Sequence, residues 1–194
     1  STISGADLWL AGPFLLLELH GAIRFSMTGA ELWNTDAAPP LRSRTWPGLS
    51  VAVVIPTYDE GPEVLLPTVA AAIELRGEHE TWVLDDGHRP EVERMAEQLG
   101  CGYISRPTNE HAKAGNMNFA LGVIDTDLIA VLDADHVAQP EFLEAVVPYF
   151  HDERVALVQT PQEFYNVDSF VHTEPGHHEE LFFHRVIQAG KNHY

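Results

Sequence analysis

The sequence predicts an α/β fold with a mainly parallel sheet flanked by helices. From Val51 onward, short apolar runs alternate with stretches of helical periodicity, as in proteins whose parallel strands are joined by helices. The first run, VAVVIP at 51–56, is apolar throughout, which is typical of a strand buried on both faces. With 194 residues, of which 45% are hydrophobic, the chain is large enough to bury a core.

The predicted strands and helices follow one another in a regular order. Strands are predicted at five runs: 51–56, 81–86, 102–105, 128–135 and 155–160. Helices are predicted at five further stretches: 62–76, 89–100, 112–124, 140–150 and 175–190. Gly100 is expected to act as the C-cap of the second helix, and Pro140 to begin the fourth, because proline suits the first turn of a helix.

An apolar helix is predicted within residues 1–33. Residues 8–27 are the most apolar window, with 13 hydrophobic residues among 20 positions, and roughly 20 residues is the length that spans a bilayer. Three ionisable side chains lie inside this window, and each is costly where it faces lipid: Glu18, His20 and Arg24. The sequence favours a transmembrane or interfacial helix and leaves open a buried or amphipathic helix of a soluble protein.

Residues 34–50 are predicted to form a linker, because they are rich in proline, serine, threonine and glycine and show no periodicity. Arg42 and Arg44 follow the apolar window, whereas only Asp7 precedes it. If the window spans a membrane, this bias places the rest of the chain in the cytoplasm.

The composition limits the partners that the chain can have. It holds 29 acidic residues against 11 lysines and arginines, for a formal net charge of −18. A nucleic-acid backbone would meet mostly like charge, so non-specific binding to nucleic acid is excluded. A phosphate-bearing substrate would need a cation as a bridge. The single cysteine, Cys101, excludes an intrachain disulfide.

Polar side chains are concentrated where the predicted strands end. In open parallel sheets, ligands bind beyond the carboxyl ends of the strands. Four predicted strands end in or run into polar segments: Pro56-Thr57-Tyr58-Asp59-Glu60, Asp85-Asp86-Gly87, Asp133-Ala134-Asp135 and Gln159-Thr160-Pro161-Gln162. The sequence therefore predicts one site at one edge of the sheet.

Asp133 and Asp135 are candidate metal ligands. They lie two residues apart at the end of the strand predicted at 128–135, and side chains alternate with period two, so both are expected to point the same way. Two carboxylates suit Mg²⁺ or Mn²⁺, which favour oxygen ligands and accept phosphate oxygens as partners. The alternative is an ordinary turn, in which aspartate is common.

Three further positions have properties suited to a nucleotide. In Asp85-Asp86-Gly87 the glycine lets the backbone turn tightly, and a carboxylate there can accept a hydrogen bond from a ring N–H or a ribose hydroxyl. Tyr58 has a flat face that can stack on a base. Lys113 lies at the start of a predicted helix, where free backbone N–H groups favour an anion. The alternative for each is a solvated surface residue.

Six segments occur in an order and at intervals that match one known family. They are IPTYDE (55–60), LDDG (84–87), HAKAGNMN (111–118), LDAD (132–135), VQTPQEFYN (158–166) and ELFFHRVIQAG (180–190). The first, second and fourth indicate family 2 glycosyltransferases in general, and the other three narrow the match. Over nearly its whole length the chain resembles the membrane-embedded, processive family 2 glycosyltransferases of the cellulose-synthase type.

The resemblance implies a GT-A fold that binds UDP-glucose. The implied donor-binding residues are Thr57, Tyr58, Glu60, Asp86, Lys113, Asp133 and Asp135. Among them, Tyr58 would stack near the uracil with Glu60 close by, and Asp86 would hold the uridine. Lys113 would meet the diphosphate, and the last two aspartates would face the diphosphate and its Mg²⁺ or Mn²⁺. The segment Gln159, Thr160, Pro161 and Gln162 would line the acceptor or donor cleft.

The resemblance also implies an inverting transfer, in which an acceptor hydroxyl of a growing glucan attacks the anomeric carbon while UDP leaves. The metal and Lys113 would stabilise charge on the leaving diphosphate. The implied location is the inner membrane, with the GT-A domain facing the cytoplasm and accessory subunits of a polysaccharide synthase as further partners.

Some features of the family are expected beyond Tyr194. These are the T-E-D motif with the general base, the Q-x-x-R-W motif that clamps the acceptor, and the helices of the polymer channel. Residues 51–194 are therefore expected to be an incomplete GT-A domain with no catalytic base. Two alternatives stay open: a synthase of another polysaccharide, such as a β-1,3-glucan, a mannan or hyaluronan, and a non-catalytic GT-A-like scaffold that binds nucleotide.

Overall fold

The computed structural model describes residues 5–33, 45–160 and 162. The chain forms two compact units, one of residues 41–158 and one of residues 1–40 with 159–194. The predicted helix at 175–190 and most of the predicted linker lie outside the described residues.

The described elements alternate between strand and helix after residue 50. The strands are β1 (Val51–Thr57), β2 (Glu80–Asp85), β3 (Gly102–Ile104) and β4 (Leu128–Val131). The α-helices are α1 (Gly5–Trp33), α2 (Pro62–Ile73), α3 (Pro90–Leu99), α4 (Ala112–Leu121) and α5 (Phe142–Val146), and α5 runs into a 3-10 helix (Val147–His151).

The four strands form one parallel sheet in the order β3-β2-β1-β4. β2 pairs with one edge of β1 and β3 pairs with β2, whereas β4 pairs with the opposite edge of β1. The strand order therefore reverses at β1, and such a reversal opens a crevice at the carboxyl ends of the strands. This topology positions the site described below.

Strand β1 is buried on both faces of the sheet, as its apolar sequence predicts. Side chains of β1 alternate between two hydrophobic clusters. Val51, Val53 and Ile55 pack with residues of α2, α3 and α5, whereas Ala52 and Val54 pack with residues of α4. The predicted α/β class, with a parallel sheet flanked by helices, is confirmed.

Several predicted boundaries are also confirmed or differ by a few residues. Gly100 has φ +73° and is the left-handed C-cap of α3. The helix predicted at 140–150 is instead a short α-helix followed by a 3-10 helix, and Pro148 lies inside this stretch. Proline has no N–H group to continue an α-helical hydrogen-bond ladder, which accounts for the change.

Two predicted strands were wrong in part or in whole. The strand predicted at 128–135 ends at Val131, and the His136 N–H then closes a turn onto the Asp133 carbonyl at 2.9 Å. The run 155–160 forms no strand, and Leu157 within it is 81% exposed. A strand needs a neighbour to share its hydrogen bonds, and an apolar run does not specify that neighbour.

In the unit of residues 1–40 and 159–194, the structure describes one long helix, α1. α1 has 29 residues with Pro13 inside it, and its side chains from residue 11 to residue 30 are exposed. Across the described residues, no helix, α1 included, combines the length and the apolarity that a membrane crossing requires. Glu18, His20 and Arg24 interrupt the apolar window of this helix.

The packing predicts a sharp contrast between neighbouring leucines of α2. Leu65 is fully buried in the larger cluster, whereas Leu66 is 45% exposed. We expect Leu65→Ala to lower the free energy of unfolding by about 2–5 kcal/mol, because it leaves a cavity in the core. We expect the matched control Leu66→Ala to change it by less than about 0.5 kcal/mol. Urea denaturation followed by circular dichroism measures both, and equal losses would contradict the packing described here.

Candidate functional site

A pocket of about 370 Å³ opens at the carboxyl ends of β1 and β2. It is lined by Pro56, Thr57, Tyr58, Glu60, Asp86, Asn109, Ala112, Lys113 and Asn116. Five of the seven predicted donor-binding residues are in this list, and they come from three separate segments of the sequence. The pocket lies where the reversal of strand order predicts a ligand site.

The loop Thr57–Glu60, which follows β1, is organised by the Glu60 carboxylate. Glu60 Oε2 accepts hydrogen bonds from Thr57 Oγ1 at 2.7 Å and from the Tyr58 N–H at 2.8 Å. Burial raises the pKa of Glu60, but these hydrogen bonds and the charge of Arg89 outweigh it, so the pKa lies below its ordinary value. The loop leaves the Tyr58 side chain 58% exposed at the edge of the pocket.

The adjacent carboxylates Asp85 and Asp86 have different surroundings. Asp86 lines the pocket, whereas Asp85 is fully buried and is not among the lining residues. Asp85 accepts a hydrogen bond from the Tyr103 hydroxyl at 3.0 Å, and burial together with the Asp85 charge raises the pKa of Tyr103 to about 12. The predicted uridine-binding aspartate is therefore the one that faces the pocket.

Arg106 holds Asp86 in place and was missed by the sequence-based prediction. Arg106 Nε and Nη2 donate to the two oxygens of Asp86 at 2.6 and 2.7 Å, and the arginine is only 5% exposed. These hydrogen bonds raise the pKa of Arg106 above its ordinary value against the opposing effect of burial. The arginine also donates to the carbonyls of Glu110 and Ala112 at 2.6 and 3.0 Å, so it ties the start of α4 to Asp86.

Two glycines in the recognised segments allow close approaches at the site. A Cβ at Gly87 would collide with the backbone carbonyl of Tyr58, and a Cβ at Gly115 would collide with the carbonyl of Glu110 and with the Arg106 guanidinium. Both glycines therefore leave room for groups that shape the pocket.

The start of α4 forms another wall of the pocket. Lys113 is paired with Asp133, and Asn116 Nδ2 donates to the Leu84 carbonyl at 2.8 Å. The buried Oδ1 of Asn116 has no hydrogen-bond partner among the described residues. A helix N-terminus with free N–H groups and a lysine favours a negatively charged ligand.

Left-handed backbone conformations border the pocket. His88, His111 and Ala112 have φ values of 53°, 62° and 45°, and they are the non-glycine residues with positive φ in the described part of the chain. His88 Nδ1 lies 2.7 Å from Ser105 Oγ, and its Nε2 lies 3.2 Å from Asn109 Oδ1. Such conformations carry strain, and they persist where surrounding contacts hold them.

Asp133 and Asp135 lie in a turn, not on strand β4 as predicted. The two are nevertheless linked through His136, whose Nδ1 lies 3.7 Å from Asp133 and whose Nε2 lies 3.7 Å from Asp135. No group of three or more histidine, cysteine or acidic side chains in the described residues is arranged to hold a metal ion. Two exposed carboxylates fit Mg²⁺ or Mn²⁺ when phosphate oxygens and water complete the coordination.

Gln159, Thr160 and Gln162, the predicted cleft residues that the structure describes, are not among the residues that line this pocket. Gln159, Thr160 and Gln162 belong to the other unit of the chain, where Gln159 and Gln162 are exposed and Thr160 is half-buried. Pro161 lies outside the described residues. The role expected for this segment stays a prediction. Among the residues that line the pocket, Asn109 is the one outside the segments that the sequence singled out, because only the folded chain brings its loop to the pocket.

The Glu60 carboxylate predicts a pH dependence of stability. Because its pKa in the folded chain is below 4.5, ionised Glu60 stabilises the fold above pH 4.5, and this contribution is lost as the pH falls through the lowered pKa. We expect Glu60→Gln to cost about 0.5–1.5 kcal/mol near pH 7. The difference from the unaltered chain should shrink below pH 4.5. Urea denaturation across this range measures it.

Glu78→Gln, at an exposed position, is the matched control and should show no such difference at any pH. A Glu60→Gln difference that persists undiminished to about pH 3 would contradict the lowered pKa.

The family indicated by the recognised segments agrees with comparisons to known proteins. The family model for glycosyl transferase family 2 matches residues 52–193. The chain is 35% identical to the UDP-forming cellulose synthase 1 catalytic subunit of Komagataeibacter xylinus over 96% of this chain and 27% of that protein. It is 37% identical to the UDP-forming cellulose synthase catalytic subunit of Xanthomonas axonopodis pv. citri over 83% of this chain and 23% of that protein. The chain thus spans about a quarter of the length of these relatives.

A solved structure also resembles the chain. The mannosyltransferase PcManGT from Pyrobaculum calidifontis, in complex with GDP-Man and Mn²⁺, matches with a TM-score of 0.53 and 24% identity over 75% of this chain and 45% of that one. At this identity the likeness concerns the fold, which is a GT-A-like α/β fold. Since the family model covers most of the chain, from the first residues of β1 onward, the chain belongs to glycosyltransferase family 2.

Proposed function

We propose that this chain carries the donor site of an inverting glycosyltransferase that moves glucose from UDP-glucose to a growing β-glucan of the cellulose type. The observation that carries the proposal is the single pocket that gathers Thr57, Tyr58, Glu60, Asp86 and Lys113. The names of the two relatives, cellulose synthase catalytic subunits that form UDP, support UDP as the nucleotide product.

In this proposal the nucleoside lies between the β1 exit loop and Asp86. The exposed ring of Tyr58 stacks on the uracil. Asp86 accepts the N–H of the base, because each of its oxygens takes one hydrogen bond from Arg106 and a carboxylate has about four acceptor positions. Arg106 fixes the direction in which Asp86 points, so recognition of the base depends on it.

The diphosphate lies toward the start of α4 and the aspartates of the turn after β4. Lys113 and the free N–H groups at the start of α4 contact its oxygens. Asp133 and Asp135 would hold Mg²⁺ or Mn²⁺, which when bound neutralises charge on the departing diphosphate. Lys113, released from its ion pair with Asp133, adds a second positive charge at the same place.

The acceptor and the cellular location complete the proposal. The GT-A domain is proposed to extend over 51–194, with Gln159, Thr160, Pro161 and Gln162 beside the glucan acceptor. It is proposed to work at the cytoplasmic face of the inner membrane, with accessory synthase subunits as partners. Exposed apolar side chains of α1, among them Phe14, Leu17 and Phe25 at 65%, 70% and 82% exposure, support a position next to lipid.

Calorimetric titration of UDP in the presence of Mn²⁺ tests the donor site. We expect binding that depends on the metal and that Asp133→Asn weakens by at least about tenfold, since even outer partners of a metal are worth that much. Asp125→Asn, an exposed aspartate between α4 and β4, is the matched control and should bind as the unaltered chain does.

UDP-glucose should compete with UDP in this titration, and GDP-mannose should not. Absence of UDP binding in a folded sample would contradict the proposal. UDP binding that is unchanged without Mn²⁺ and in Asp133→Asn would show that the nucleotide binds at another site.

The ion pair between Lys113 and Asp133 predicts opposite effects on the metal and on the nucleotide. Without nucleotide, the Lys113 ammonium competes with a cation for Asp133. We therefore expect Lys113→Met to tighten binding of Mn²⁺ alone by about two- to fivefold, the worth of an exposed ion pair, and to weaken binding of UDP with Mn²⁺. Electron paramagnetic resonance of free Mn²⁺ measures the first effect. The gain should vanish in the double variant with Asp133→Asn, and weaker binding of Mn²⁺ alone to Lys113→Met would contradict the competition.

A further inference from the structure

The guanidinium of Arg89 connects the Thr57–Glu60 loop to Asp85 at the end of β2. Its Nη1 donates to the Glu60 carbonyl at 2.6 Å, and its Nη2 donates to Thr57 Oγ1 at 2.8 Å. Its Nε and Nη2 also donate to Asp85 Oδ1 at 3.0 and 2.9 Å. Arg89 is not among the residues that line the pocket, so any effect on a ligand must pass through these neighbours.

Asp85 gives Arg89 a fixed anchor. Its side chain is fully buried, and besides the guanidinium it accepts the N–H groups of Gly87 and Arg89 at 2.9 and 2.7 Å and the Tyr103 hydroxyl at 3.0 Å. With both oxygens engaged in several directions, this carboxylate has little freedom to rotate. The arginine anchored to it is correspondingly fixed.

From Arg89 the contacts run on to the edge of the pocket. The Thr57 hydroxyl accepts from Arg89 and donates to the Glu60 carboxylate, which in turn accepts the Tyr58 N–H. On the other side of the loop, the Asp86 N–H donates to the Thr57 carbonyl at 3.0 Å. Arg89 therefore links the Thr57–Glu60 loop to the buried carboxylate of Asp85.

We propose that Arg89 is a positioning residue of the nucleotide pocket, which sets the shape of the Thr57–Glu60 loop and so the place of Tyr58. This inference rests on the proposed function for its ligand, UDP. A loop that is ordered before binding spares the ligand the cost of ordering it. Removing the two terminal nitrogens with which Arg89 contacts Thr57 and Glu60 should therefore weaken UDP binding, although no direct contact between protein and UDP is lost.

The test compares three single variants of the full 194-residue chain and the double variant of Arg89→Lys with Thr57→Val. Arg89→Lys keeps the charge beside Asp85 and loses the fork that reaches Thr57 and Glu60. Arg94→Lys is the matched control, because Arg94 lies in α3, the helix that begins directly after Arg89, and its Nε donates to the Pro90 carbonyl, away from the loop. Thr57→Val removes the hydroxyl that accepts from Arg89 and donates to Glu60, and it leaves the Asp85–Arg89 pair intact.

Two readouts distinguish positioning from a structural role. Hydrogen exchange should become faster at the Tyr58 and Asp86 amides in Arg89→Lys and Thr57→Val, and stay unchanged in the interior of β1 and β2. The dissociation constant for UDP with Mn²⁺ should rise by about 3- to 10-fold in both, and the double variant should be no worse than the poorer single one. Arg94→Lys should change neither readout.

Faster exchange throughout the sheet in Arg89→Lys, matched by a lower urea midpoint, would overturn the inference in favour of a structural role. Unchanged exchange at the loop would overturn it as well, as would unchanged UDP affinity in a chain that binds UDP. If the unaltered chain does not bind UDP, the proposed function fails. Local acceleration confined to the loop would then still support Arg89 as the residue that positions it.

Discussion

The site depends on two buried carboxylates that are neighbours in sequence and are each paired with an arginine. Asp85 and Asp86 are 0% and 4% exposed, and burying a charge is costly unless an opposite charge and hydrogen bonds compensate it. Arg89 compensates the first and Arg106 the second. Because the two arginines also donate to backbone carbonyls, each pair fixes a stretch of backbone. The Asp85 pair fixes the loop after β1, and the Asp86 pair fixes the start of α4.

This arrangement explains how a strongly acidic chain can offer a site to an anion. The formal net charge is −18, and the arginines at the site are committed to aspartates. Among the side chains that line the pocket in the described part of the chain, Lys113 is the one cation, and it is paired with Asp133. A diphosphate would have to be met by this lysine, by backbone N–H groups of α4 and by a divalent cation on the aspartates. A divalent cation is therefore proposed because the acidic chain offers few positive charges of its own to a diphosphate.

Much of the fold and part of the site could be predicted from the sequence, for reasons visible in particular residues. β1 was predictable because the run from Val51 to Pro56 is apolar throughout, which indicates a strand buried on both faces. In the structure every residue of β1 is buried. The gathering of Thr57, Glu60 and Asp86 was predictable because carboxyl ends of parallel strands meet at one edge. The place of Lys113 beside them was implied by the family resemblance. The run at 155–160 was misread, since pairing with another strand is not written in the run itself. Asp133 and Asp135 were expected on a strand, but a turn begins at Asp133.

The sequence by itself determined the class of fold, the order of the elements and the segments that carry polar chemistry. These properties follow from local periodicity, from turn-forming residues and from the topology that alternating strands and helices impose. The family resemblance singled out Asp86, but only the tertiary structure decided which arginine Asp85 and Asp86 each bind. The reason is physical: Arg106 lies 20 residues from Asp86, and the selection of a buried partner depends on distances and desolvation that exist only once the chain has folded.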